Sequence, residues 1–223
     1  MNNIVVKTIG ECWISSIKTV MENGTEYFDE NVQIKEIIGL SVEIANPNIE
    51  DKIIKEFGDK YVLDKMLKKF SKGIVMNDRP FTYGECIYAK NGIDQFEWLI
   101  NRLQNKKETK SATIGLLTEG KNEANLPCLT TIDAKIRNNE LILQFFFRSQ
   151  NIFGRQYANL LALANLQKNL ANRCSVNIGF LKGYIASAHI YDYDYEQAND
   201  ICLYKKITIS DKYYTCGPKS IRV

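Results

Sequence analysis

Residues 126–151 read LPCLTTIDAKIRNNELILQFFFRSQN, and this stretch decides the fold. Leu129 to Arg137 and Glu140 to Ser149 are rich in β-branched, aliphatic and aromatic residues, the composition of strands. Between them Arg137-Asn138-Asn139-Glu140 reads as a hairpin turn, because asparagine tolerates the positive φ that a tight turn demands. The turn folds the two strands together, so the position near 128 faces the positions near 148–149. A cysteine at a loop-to-strand corner is thereby set opposite Arg148 and Ser149.

Outward from the hairpin, Val32, Ile34, Ile38, Leu40, Val42 and Ile44 share one parity, while Gln33, Lys35, Ser41 and Glu43 take the other. That period of two over thirteen residues predicts a strand with one buried face, ended by Asn46-Pro47. Ser111 to Leu117 and Ser175 to Tyr191 read as further strands, the second bent at Gly179 and Gly183. Helical spacing places Trp13, Ile17, Val20 and Met21 on one face of Glu11 to Glu22, with Asn23-Gly24 as the stop. Asn48 to Lys72 is charged and weakly periodic, and helical. Ile93, Phe96, Ile100 and Leu103 mark a helix over Gly92 to Leu103, and Asn159 to Ala171 is a buried one. The class is α+β, a mixed sheet with one face under helices. Ile142 and Phe146 make the opposite face more apolar than water requires, which points to a second layer, here another copy of the chain.

The chain has 223 residues, with 29 Lys+Arg against 26 Asp+Glu and a formal charge of +3. This mild balance gives no footprint for nucleic acid. With 45% hydrophobic residues and no linker-like stretch, residues 1–223 read as one domain. Cys12, Cys86, Cys128, Cys174, Cys202 and Cys216 are scattered and His189 is the sole histidine, which argues against a disulfide scaffold and a zinc finger. No signal pattern or membrane-length apolar run is present, so the expectation is a soluble cytoplasmic protein without membrane contact.

Five places have chemical potential. Cys128 is a nucleophile only as its thiolate, and a guanidinium at Arg148 would lower its pKa. Arg148-Ser149 suits a phosphate, or else a strand-end ion pair. Asn159 either caps the helix it opens or reads the edge of a base. His189 and Tyr191 share one strand face and offer polar rings to a sugar hydroxyl, although a lone histidine is commonly structural. Tyr83-Gly84 follows Arg79-Pro80 and by itself says little, since the chain has twelve tyrosines.

Together these stretches resemble the thymidylate synthase family. Leu126-Pro127-Cys128, Phe147-Arg148-Ser149, Asn159 and His189-Ile190-Tyr191 stand in that family's order, with Arg148 twenty residues after Cys128, Asn159 eleven further on and His189 forty-one after Arg148. Tyr83-Gly84-Glu85 and Gly92-Ile93-Asp94-Gln95 also fit, and Trp13 through Gly24 is similar to short, archaeal-type members. The resemblance is good over about residues 75–195. It implies a homodimer packed sheet to sheet that transfers a one-carbon unit from methylene-tetrahydrofolate to carbon 5 of a pyrimidine nucleotide. By matching position it makes Cys128 the nucleophile and Arg148 its activator, with Arg148 and Ser149 on phosphate. Asn159 would read the base, His189 and Tyr191 the ribose 3′-hydroxyl, and Tyr83 would assist proton removal.

The departures shape the expectation. Leu129 stands where the synthases carry His after the nucleophile, and Asn151 replaces the folate-contacting aspartate. The arginines one subunit lends to the other's phosphate site give way to Lys106-Lys107-Glu108-Thr109-Lys110-Ser111, leaving Lys110 as a candidate. Asp29-Glu30 falls where another phosphate arginine belongs, and the tryptophan-bearing segment before Tyr83 is missing. Asn159 favours uracil over cytosine. The alternatives are a (d)CMP or (d)UMP hydroxymethylase and a non-catalytic homologue that binds a nucleoside-like ligand.

Overall fold

The computed structural model describes residues 2–76, 81–117 and 126–204. Arg79-Pro80, Cys216 and Pro218 lie outside the described residues. In chain order the elements begin β1 (Asn2–Val6), α1 (Ile9–Asn23), β2 (Thr25–Asp29), β3 (Val32–Ile44), α2 (Lys52–Phe57) and α3 (Lys60–Phe70). They continue α4 (Tyr83–Tyr88), α5 (Gln95–Asn105), β4 (Thr113–Gly115), β5 (Leu129–Arg137) and β6 (Glu140–Phe147). The last are β7 (Gln150–Asn151), α6 (Ile152–Cys174), β8 (Asn177–Tyr191), a 3-10 turn (Asp192–Asp194) and α7 (Tyr195–Tyr204). The strands form one sheet in the order β1-β3-β8-β6-β5-β4, with β2 on β3 and β7 on β8. It is mixed, since β1–β3, β6–β8 and β7–β8 are parallel and the other pairs antiparallel. The α+β class and a thymidylate synthase-like fold agree with this topology.

The hairpin forms as its turn chemistry dictates: Asn138 and Asn139 hold φ of 51° and 60°, and Arg137 pairs with Glu140. The helix before the first long strand also starts where its cap requires. Thr8 and Glu11 make a capping box, and Gly24 closes α1. Trp13 then joins α1 to α6, its indole N–H donating to the carbonyls of Ile152 and Phe153 at 3.1 and 3.0 Å.

Several expectations change: α5 starts at Gln95 and leaves Ile93 outside it at 58% exposure, and the strand expected over Ser111 to Leu117 covers only Thr113–Gly115. The helix expected over Asn48 to Lys72 is two, because Gly58 ends α2 and the Asp59 side chain caps α3. The strict alternation expected through β3 breaks at Gly39, whose φ is +83°. Ile37 turns inward at 5% exposure and Ile38 turns out at 74%, reversing the assignment of Ile38. A Cβ on Gly39 would also stand 2.8 Å from the Tyr184 hydroxyl. Finally, α6 starts at Ile152, so Asn159 lies inside the helix and is no cap; Asn151 caps it, its Oδ1 accepting from Gly154 N at 2.7 Å.

On the face away from the helices Phe146 stacks on Tyr184, with ring centroids 5.5 Å apart and 22° between planes. On the helical face, Gln167 of α6 is fully buried beside the irregularity between Leu141 and Leu143. Its Nε2 donates to the carbonyls of Leu141 and Gly179 at 2.8 and 3.0 Å, satisfying acceptors that the ladder leaves open. Gln167→Leu strips buried carbonyls of their donor and is expected to lower stability by about 1–3 kcal/mol. A lower urea midpoint at unchanged m value is the measurement that checks it.

Candidate active site

Cys128 sits half-buried at the corner before β5, and its carbonyl accepts from Arg148 N at 2.9 Å. The hairpin therefore sets the two backbones side by side. The guanidinium does not follow. Arg148 Nε donates to the Pro127 carbonyl at 3.1 Å and Nη2 to the Leu126 carbonyl at 2.8 Å. The side chain is exposed and fixes the loop that carries the sulfur, whereas the spacing had placed its charge on the thiol and on a phosphate. Two carbonyls of one loop match the fork of a guanidinium, and its long stem reaches them without strain.

A cleft of about 250 Å³ opens in front of Cys128. Ser149 and Asn151 line it from the end of the hairpin and β7, and His189 and Tyr191 from β8. Asn159 enters from α6 and Tyr83 from α4. Seven of the nine expected residues thus meet around one concavity. Arg148 is not among the lining residues, and neither is Lys110, which is exposed in the loop before β4.

Asn159 is 5% exposed, and its Oδ1 is buried with no hydrogen-bond partner. A carboxamide oxygen left so costs about 1–3 kcal/mol, a burden that a ligand N–H would relieve. His189 is also buried, and desolvation holds its pKa below the ordinary value despite Asp29 and Glu36 nearby. The imidazole is therefore neutral at pH 7, able to donate from one nitrogen and accept at the other. It meets the Tyr191 ring edge-on, centroids 5.2 Å apart. Burial, reinforced by Asp29, raises the Tyr191 pKa, and its hydroxyl donates to Asp29 Oδ2 at 2.8 Å. The acidic residue at a position where phosphate chemistry calls for arginine here orients a tyrosine.

Tyr83 is held on three sides. Its hydroxyl accepts from Leu129 N at 3.3 Å, Phe70 packs 4.7 Å from its ring, and Lys69 Nζ lies 4.2 Å from the ring centroid. Leu129 is fully buried, so the residue after Cys128 serves the core.

Six lining positions were not singled out from the sequence: Gln150, Arg155, and Val62, Lys65, Met66 and Lys69 on α3. Both amide atoms of Gln150 are buried without partners. The signal for α3 was present in Val62 and Met66, four apart, with Lys65 and Lys69 at the same spacing. Among the described residues no three metal-ligating side chains converge, and no helix is long and apolar enough to cross a membrane.

Comparison with known proteins covers the whole site. The family described as "Thymidylate synthase" matches residues 14–209. Proteins named "Putative thymidylate synthase" from Methanothermobacter marburgensis and Methanosarcina acetivorans are 28% and 30% identical to the chain. Each match covers 89% of this chain, and 96% and 93% of those proteins respectively. A protein of the same name from Methanosarcina mazei is 29% identical, over 89% of this chain and 93% of its own. The family match runs from within α1 to past the end of α7 and leaves no lining residue outside it, so the chain belongs to the thymidylate synthase family.

Proposed function

We propose that this chain is a one-carbon transferase acting at carbon 5 of a uridylate-type pyrimidine nucleotide, through an adduct on Cys128. The observation that carries this reading is the unpartnered Asn159 Oδ1 in the same cleft as the Cys128 sulfur. The uracil edge offers an N–H donor beside a carbonyl acceptor, and a carboxamide answers both at once.

The residues then divide the work. The Cys128 thiolate forms a bond to carbon 6, and the electron pair of the 5,6 double bond moves to carbon 5, delocalised into the ring carbonyl. Asn159 Nδ2, donating to that carbonyl, stabilises the charge as it develops. Carbon 5 then forms its bond to the incoming one-carbon unit, and loss of the carbon 5 proton supplies the electron pair that expels the thiolate and restores the ring. Tyr83, fixed beside the nucleophile, assists that proton removal, and His189 and Tyr191 hold the sugar hydroxyl. Arg148 supports the Cys128 loop through its two carbonyl bonds.

The donor is a separate question. The resemblance implies methylene-tetrahydrofolate, which supplies the carbon at the oxidation level of formaldehyde. Asn151 does not fit its pterin in the manner that resemblance implies: its Oδ1 is engaged by Gly154 N, and the described lining residues include no carboxylate to take the pterin's N–H groups. The roles assigned to this chain's residues are those on the pyrimidine. The absence of a histidine after the nucleophile, together with Asn151 in the aspartate's place, supports as second reading a hydroxymethyl product, which the product mass separates from methyl. The homodimer is part of the proposal. Phe146, Tyr184 and the exposed Ile38 stand on or beside the sheet face that the helices leave uncovered, and a second copy would cover it. So is the treatment of residues 1–223 as one domain.

Cys128→Ser is expected to cut tritium release from carbon 5 of labelled dUMP by more than about a thousandfold, with dUMP affinity nearly unchanged. Retained release would sink the adduct mechanism. Asn159→Asp replaces a donor by a second acceptor. It should weaken dUMP by about ten- to a hundredfold and shift preference toward dCMP, whose amino group donates, as titration calorimetry would read.

A further inference from the structure

Among the described residues that line the cleft there are three cations, Lys65, Lys69 and Arg155, and no carboxylate. Lys65 and Lys69 are four apart on α3 and share the side of that helix that carries Val62 and Met66 to the cleft. Lys68, on a different side of the same helix, is exposed, whereas the three lining cations are half-buried. Arg155 enters from α6, one turn beyond the capping Asn151. Lys69 sits over the Tyr83 ring, and the Tyr83 hydroxyl is bonded to the backbone next to Cys128, so this charge stands beside the nucleophile's corner. Of the groups expected to meet an anion, Arg148 is engaged on two loop carbonyls and Lys110 lies outside the cleft, which leaves the uncharged Ser149 in its wall.

We propose that Lys65, Lys69 and Arg155 form an anion-binding wall of the cleft that holds a phosphate or carboxylate group of a bound ligand. The proposal rests on reading the cleft as a nucleotide site. Half-buried charges of one sign around a concavity focus the field there, and partial loss of water strengthens each bond to an oxyanion. Two sources supply that chemistry: the nucleotide's own phosphate, and the acidic tail of a second substrate. The wall supplies two point charges and one fork, a set that grips an anion from two sides without the paired arginines.

Titration calorimetry at low salt tests it. The probes are dUMP, deoxyuridine, and folic acid with one or several γ-linked glutamates. The proteins are the wild type, Lys65→Gln/Lys69→Gln, Arg155→Gln and, as control, Lys68→Gln. The wild type is expected to bind dUMP more tightly than deoxyuridine, or the polyglutamate more tightly than the monoglutamate, by at least about tenfold. In the lysine double variant and in Arg155→Gln that gap should shrink by about tenfold, with melting temperatures unchanged, while Lys68→Gln leaves it intact. A loss confined to dUMP assigns the wall to the nucleotide phosphate, and one confined to the polyglutamate assigns it to the second substrate's tail. If the wild type shows neither gap, or the variants preserve them, the wall does not exist. Deoxyuridine binding, which needs no anion, reports the nucleotide reading separately. Its absence together with that of dUMP would overturn that reading, and inorganic pyrophosphate titrated against the same proteins would still report on the wall.

Discussion

One hydrogen bond closes the structure on itself: Arg148 N to the Cys128 carbonyl, at the open end of the β5–β6 hairpin. Two left-handed asparagines at the other end set the register as far as Thr131, and an irregularity between Leu129 and Thr131 shifts it by one, so that Leu129 pairs with Phe147 and Cys128 meets Arg148. Cys128, Ser149 and Asn151 reach the cleft because that register is right. The helix that follows then starts at once, so Asn159 is delivered two turns along α6 to the far side of the same space. Trp13 pins the first turn of α6 from α1, and the buried Gln167 ties its later turns to β6 and β8.

What was legible in the sequence is what depends on local chemistry. The Asn138-Asn139 turn has one comfortable backbone, so the hairpin and the approach of Cys128 to residues 148–149 could be read directly, while the one-residue shift between Leu129 and Thr131 could not. What escaped depends on longer range. Arg148 was placed correctly as backbone, yet its long side chain had a choice between a thiol and two carbonyls, and register says nothing of that choice. Ile38 followed the parity rule on paper, but Gly39 takes a left-handed φ where Tyr184 crowds it from a strand more than a hundred residues away. The start of α6 was hidden because Ile152 and Phe153 are as apolar as a strand, and the true cap was one of several nearby asparagines. Lys65 and Lys69 looked like an ordinary solvated face, since only the packing of α3 across from α6 turns that side toward the cleft.

The cleft combines features that pull in one electrostatic direction. Burial keeps His189 neutral and Tyr191 protonated, so neither adds charge near pH 7. The charge that remains along the described walls is positive and comes from two helices.

The bond from the Tyr191 hydroxyl to Asp29 has a directional consequence. Its single proton is committed to a carboxylate on the β2 strand, which leaves only lone pairs on the cleft side. Whatever docks against that oxygen must bring its own hydrogen. A methoxy or keto substituent would face lone pair against lone pair, so one aspartate at the tip of a surface hairpin sets a rule of admission deep in the neighbouring cleft.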